Sequence, residues 1–143
     1  MPMNPSASTK PSDNQQELAR ILTQAQSSRE PCAPLTTIQP ELTLQEAYGI
    51  SEITLKERLL QGNAKLIGKK IGLTSRAVQK QLGVSEPDFG YLTSEMNIPL
   101  GETISRSSLI QPRVEGEVAF VLKRDLMGPG ITVADVIGAT DFI

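Results

Sequence analysis

Within the stretch QPRVEGEVAFVLK, Gln111 to Lys123, two glutamates stand two positions apart in an otherwise apolar, β-favouring run. A strand alternates its side chains between faces, so a strand here sets Glu115 and Glu117 on the same side. Two carboxylates so placed repel each other, and either full hydration or a shared cation relieves the repulsion. Val118, Ala119, Phe120, Val121 and Leu122 are apolar on both faces, the pattern of a strand covered on both sides. Buried carboxylates need partners. An oxygen-only donor pair suits a hard divalent ion such as magnesium, manganese or calcium. Two ligands do not fill an octahedron, so a third carboxylate, substrate oxygens and waters must supply the remainder.

Composition narrows the chemistry further. The 143 residues hold 14 Lys plus Arg against 16 Asp plus Glu, a net charge of -2, which does not favour a general polyanion-binding surface. Nucleic acid is therefore not an expected partner. Cys32 is the single cysteine, so no internal disulfide can form, and a reducing compartment with an inert thiol is the expectation. The chain has no histidine, which removes the commonest acid/base near neutral pH and the commonest transition-metal ligand. Catalysis would rest on carboxylates, Lys, Tyr, hydroxyls or a hard metal. No apolar run approaches the roughly 20 residues of a membrane span, and the opening MPMNPSASTKPSDNQQ has no hydrophobic signal core. A cytoplasmic protein with no membrane partner is expected.

Along the chain, residues 1–12 are rich in Pro, Ser, Thr and Asn and are expected to form a disordered tail. Asp13 is a candidate cap for a helix bearing Leu18, Ile21, Leu22 and Ala25 at helical spacing. Pro31, Pro34 and Pro40 make an irregular connector. Thr43 and Glu46 then form a capping-box pattern for a second helix, with a buried stripe of Leu44, Ala47, Tyr48, Leu55 and Leu59 and a stop at Gly62. KLIGKKIGLTS, Lys65 to Ser75, reads as a short strand whose glycines admit another backbone or a ligand. Gly62 and Gly68-Lys69 imitate a phosphate loop, but five residues separate the glycines instead of four, and Lys70 replaces the magnesium-holding Ser or Thr.

Thr74 or Ser75 can cap a short helix carrying Ala77, Val78 and Leu82, stopped by Gly83. SRAVQKQLGVS imitates half of a helix-turn-helix. The segment before it reads as a strand and acidic EPDFG follows, so DNA binding is not favoured. EPDFG, Glu86 to Gly90, is a turn by composition, in which Asp88 can make a local hydrogen bond. Ile110 to Leu122 is the strongest strand pattern. Thr132 and Asp135 cap a brief helix with Val133, Val136 and Ile137.

Three blocks together, GKKIGLTS at 68–75, GVSEPDFGYL at 83–92 and QPRVEGEVAFVL at 111–122, resemble the 2-keto-4-pentenoate hydratase family of the wider fumarylacetoacetate-hydrolase-like superfamily. The likeness runs from about residue 15 to the end, and ITVADVIGATDFI resembles the family's sequence just before a third metal-binding Glu. The resemblance implies an α+β fold: N-terminal helices, then the start of a mixed β-rich fumarylacetoacetate-hydrolase-like fold. On this likeness residues 13–143 form a single hydratase-like domain that is incomplete at its C-terminal end. It implies a lyase of aromatic meta-cleavage degradation that adds water to 2-hydroxypenta-2,4-dienoate to give 4-hydroxy-2-oxopentanoate, and a homo-oligomer. By the same likeness Glu115 and Glu117 are ligands of Mg2+ or Mn2+, which the carboxylate and 2-oxygen of the 2-oxo/2-hydroxydienoate substrate chelate. Lys70 matches the family's active-site lysine, placed to stabilise the enolate or move a proton, and Asp88 matches its EPDFG acid, placed to orient Lys70 or water. Lys69 would point to the opposite strand face and is read as structural.

The family's third acidic ligand lies beyond Ile143. A 143-residue chain acting alone is therefore expected to have weak or absent activity, exposed strand edges, and a tendency to aggregate or to depend on a complementing chain. The sister 4-oxalocrotonate decarboxylase resembles the same blocks, which do not separate the two reactions. An inactive remnant that persists as an interaction module is the alternative of a different class.

Overall fold

A computed structural model of the protein describes residues 11–62 and 64–143. It divides into two compact units, one ending at Ile110 and one spanning Gln111–Ile143. The expected tail at 1–12 lies outside the described residues except for Pro11 and Ser12, and Ser12 is already part of a helix cap.

The first unit begins with α1 (Asp13–Ser28). Its cap is Ser12, not Asp13: the Ser12 hydroxyl accepts from the Gln15 backbone N–H, while the Gln15 side chain accepts from the Ser12 N–H. The reciprocal pair satisfies two otherwise orphaned donors, which places the boundary one residue earlier than expected. A single turn, α2 (Leu35–Ile38), interrupts the proline-rich connector that the sequence marked as irregular. The long α3 (Leu44–Gln61) starts at the expected Thr43–Glu46 capping box and ends at Gly62.

Leu18 and Ala19 of α1 pack with Ile50 and Ile53 of α3, and Ile21, Leu22, Leu35 and Leu42 close around them. Burying Leu18 and Ile50 contributes about 1.5–3 kcal/mol each. The stripe expected on α3 is thus corrected. Ile50 and Ile53 face α1, Ala47, Tyr48, Leu55 and Leu59 are half-buried at its margins, and Leu44 is exposed because it lies in the first turn, short of the contact. At Gly49 a Cβ would stand 3.0 Å from Gln15 Nε2, the end of a flexible side chain on α1.

A two-stranded antiparallel sheet follows, pairing β1 (Leu66–Gly72) with β2 (Asp88–Thr93). The expected strand in KLIGKKIG is present. EPDFG is corrected: only its start is bent, and Asp88-Phe89-Gly90 is already strand, because pairing with β1 outweighs the turn preference of its residues. Between the strands lies α4 (Arg76–Leu82), with Ser75 at its N-cap and Gly83 at φ +72°, a left-handed stop that favours glycine.

In the second unit β3 (Val121–Leu122) pairs antiparallel with β4 (Thr140–Phe142), and α5 (Val133–Ala139) runs between them behind a Thr132–Asp135 capping box. The long strand expected over Ile110–Leu122 is therefore not formed: residues 111–120 lie outside regular structure and only Val121 and Leu122 enter a ladder. Burial on both faces is not found either, since Val114 is fully exposed and Val118 is 70% exposed. A β-favouring sequence becomes a strand only where a neighbour takes its backbone hydrogen bonds, and here β4 offers such a partner to only two residues. Among the described residues no helix is long and apolar enough to cross a membrane.

The capping boxes give the fold a pH dependence. The Thr43 backbone N–H, and next its hydroxyl, hold the Glu46 carboxyl below its ordinary 4.5. The Thr132 hydroxyl, and then its N–H, hold Asp135 below 3.8. Because the folded values lie below the unfolded ones, the stabilisation is complete above the ordinary carboxylate range and is lost as pH falls through the folded values. Urea midpoints are expected to fall from neutrality to below pH 3.8, and part of that slope should vanish when Thr43 and Thr132 are both replaced by Ala.

Candidate functional site

Ladder register fixes what the β1–β2 sheet presents. Lys70 lies opposite Gly90 and Gly72 opposite Asp88, so Lys70, Gly72, Asp88 and Gly90 share one face. Lys70 and Asp88 are thereby diagonal neighbours on adjacent strands, both exposed. Gly68 lies on the same face, where a Cβ would come no nearer than 3.9 Å to Leu92 Cδ1, and a Cβ at Gly90 would meet nothing within 4 Å. Two ionisable groups of opposite sign thus stand on a face where Gly68, Gly72 and Gly90 carry no side chain, with Leu92 at one end and the Asp88 carboxylate over Gly72. The glycines of KLIGKKIG signalled that gap in side chains. The contribution of Gly90 was hidden while EPDFG read as a turn.

The opposite face is aromatic. Phe89 stacks on Tyr48 of α3 with ring centroids 4.5 Å apart and meets Tyr91 edge-on at 5.8 Å. Lys69 Nζ lies 4.9 Å from the Phe89 ring centroid and 5.5 Å from that of Tyr91. Lys69 does point away from Lys70, as strand alternation predicts, and ties the sheet to its own aromatic face. Burial pushes the Tyr91 phenol up, and the negative charge of Glu52 adds to the shift, so it stays protonated near neutrality. A cavity of about 270 Å³, lined by Thr23, Ser51, Arg58, Tyr91 and Thr93 among others, opens on this side. It does not adjoin Lys70 or Asp88. Replacing Lys69 with Gln is expected to cost about 0.5–1 kcal/mol in urea unfolding, the scale of an exposed cation–π contact.

Glu115 and Glu117 belong to the second unit, in the stretch outside regular structure, and both are exposed. The strand that was to align them is absent. Their proximity rests on their spacing of two residues, with Gly116 between them and nothing within 4 Å of a Cβ there. As donors they are two carboxylates with no imidazole, a set that suits a hard divalent ion in charge and atom type. Their number alone does not enclose one: among the described residues no three Asp, Glu, His or Cys side chains gather into a metal-holding group.

No family model matches the chain. Individual proteins do. It is 52% identical over 128 residues to a 2-hydroxypent-2,4-dienoate hydratase of Pseudomonas putida, covering 89% of this chain and 57% of that protein. It is 48% identical over 124 residues to a 2-hydroxyhexa-2,4-dienoate hydratase of Comamonas testosteroni, covering 85% and 47%. With a 2-keto-4-pentenoate hydratase of Paraburkholderia xenovorans it shares 44% over 128 residues, covering 90% and 47%. In structure it is similar to the 4-oxalocrotonate decarboxylase from Pseudomonas putida G7, solved with calcium and acetate: TM-score 0.85, 33% identity, 90% of this chain and 49% of that one. The same enzyme solved with magnesium and adipate gives a TM-score of 0.82.

The architecture is α+β and matches part of a fumarylacetoacetate-hydrolase-like fold. Over about nine-tenths of its length the chain is similar to proteins named 2-keto-4-pentenoate or 2-hydroxypentadienoate hydratase, and it corresponds to an N-terminal portion of them. It spans about half the length of the curated relatives it matches.

Proposed function

We propose that this chain forms part of a divalent-metal-dependent lyase that adds water to 2-hydroxypenta-2,4-dienoate, giving 4-hydroxy-2-oxopentanoate in the meta-cleavage degradation of aromatic compounds. The observation that carries this reading is the 44–52% identity to relatives named as hydratases of 2-hydroxydienoates and 2-keto-4-pentenoate. The glycine-rich face bearing Lys70 and Asp88 is consistent with it, since a planar conjugated acid needs a surface with little side-chain bulk and with ionisable groups at its edge. The protein is proposed to work in the cytoplasm as a homo-oligomer.

Glu115 and Glu117 are the proposed donors to Mg2+ or Mn2+. A divalent ion bound there would supply Lewis-acid polarisation of a 2-oxo acid. Structural relatives solved with a calcium ion and acetate, or a magnesium ion and adipate, support a hard cation used together with small carboxylates. Lys70, as an ammonium, is suited to stabilise negative charge on the substrate's 2-oxygen and to deliver or recover a proton. Asp88, diagonal to it, is suited to orient the Lys70 amine or the attacking water. The net change is addition of one water across a carbon–carbon double bond, with no redox partner and no carbon lost.

A second reading, 4-oxalocrotonate decarboxylase, is favoured by the structural likeness at 33% identity. Product analysis separates the two. With dienol substrate and magnesium, hydration yields 4-hydroxy-2-oxopentanoate and no carbon dioxide. Carbon dioxide released from 4-oxalocrotonate, with the dienol untouched, would overturn the hydratase reading in favour of the decarboxylase.

A further inference from the structure

Gly72 faces Asp88 directly across the last pair of the β1–β2 ladder. A Cβ built at Gly72 would fall well under 3.0 Å from Asp88 Oδ1 and 3.3 Å from Asp88 Cγ, so the carboxylate occupies the space that a side chain at 72 would take. The other glycines of this face are different: a Cβ at Gly68 would make only an ordinary contact, and one at Gly90 would make none. Nor is the strand end free to yield. The next residue, Leu73, is held at φ +55°, a left-handed conformation that is rare outside glycine, and its carbonyl accepts from Gln79 Nε2 of α4 at 2.6 Å. With the backbone fixed on that side, the movable partner is the short Asp88 side chain, which is exposed and can rotate away.

We propose that Gly72 is a positioning residue: its missing side chain is the seat of the Asp88 carboxylate and keeps it beside Lys70 on the sheet face. The proposal deepens the hydratase reading and rests on it for the reactive roles of Asp88 and Lys70. The seat itself does not depend on that reading. A methyl group at 72 should not unfold the hairpin, since Gly72 is not among the positive-φ glycines and alanine is allowed there. It should evict the carboxylate. A displacement of about 1 Å in a reacting group costs on the order of 100-fold in rate.

The test uses the 143-residue chain, isotopically labelled, as wild type, Gly72→Ala, Asp88→Ala and the double variant. In Gly72→Ala the Asp88 χ1 rotamer, read from its Hβ couplings, is expected to change while the cross-strand amide contacts of β1 and β2 persist. Any stability lost in Gly72→Ala should be recovered in the double variant, because removing the Asp88 carboxylate removes the clash. An unchanged Asp88 rotamer would overturn the proposal, as would a loss of stability that Asp88→Ala does not relieve. In protein with hydratase activity, Gly72→Ala should lower kcat about 100-fold with KM changed less than about 3-fold, and add nothing in the Asp88→Ala background. An undiminished kcat alongside a changed rotamer would count against Asp88 as a reacting group and leave the seat standing. Wild-type protein that releases carbon dioxide from 4-oxalocrotonate and leaves the dienol untouched would count against the hydratase reading, with the rotamer and stability results still deciding for or against the seat.

Discussion

In protein with the proposed hydratase activity, replacing Glu115 and Glu117 together with glutamine is expected to lower the rate of water addition by more than about 100-fold and to abolish any dependence on added magnesium. Glutamine keeps the length and one oxygen of each side chain but removes both negative charges, and charge is what a hard divalent ion chiefly takes from its ligands. Both residues are exposed and lie outside helices and strands, so the fold of the second unit, built on the β3–β4 pairing and α5, should survive the change. Circular dichroism should be unaltered while steady-state kinetics collapse. A double variant that retains near-normal, magnesium-stimulated turnover would remove these residues from the metal site.

Lys70→Met is expected to reduce kcat by about 10²–10⁴-fold, the usual scale for removal of a positioned proton-transfer group, with divalent-cation binding unchanged. Methionine keeps the stem and loses the ammonium, and the backbone pairing of residue 70 with Gly90 does not depend on the side chain. Lys69→Gln is the matched control on the other face: it loses contact with Phe89 and Tyr91 and should lower stability while leaving turnover nearly intact. A fall of less than about 10-fold in Lys70→Met, or equal losses for the two lysines, would contradict the assignment.

Local signals carried the helices. Thr43 and Thr132 each take part in a capping box with the residue three positions on, a chemistry contained within four residues and so readable from sequence, whereas Ser12 does the same with Gln15 where the sequence had pointed to Asp13. Alternation in KLIGKKIG likewise put Lys69 and Lys70 on opposite faces, and pairing with β2 fixed which face each occupies. What failed depended on distant partners. Ile110 to Leu122 carries β-favouring Val114, Val118, Phe120 and Val121, yet only Val121 and Leu122 find a ladder, in β4 some twenty positions away. EPDFG erred the other way: Pro87 and Gly90 suggested a turn, and β1 drew Asp88 to Gly90 into a strand. That pairing is also why Asp88 and Lys70 share a face, which composition could not reveal. The two glutamates were legible as candidate donors from residue type and spacing. Their setting was not, because it depends on what covers Val114, Val118 and Phe120, all exposed in this chain.

Glu115 and Glu117 are proposed to hold a divalent ion. Magnesium titration of the 15N-labelled chain, followed residue by residue, tests it directly. Saturable shifts centred on the amides of residues 115–117 and absent from the double glutamine variant are the predicted result. Shifts that fail to saturate, that centre elsewhere, or that persist in the variant would contradict it.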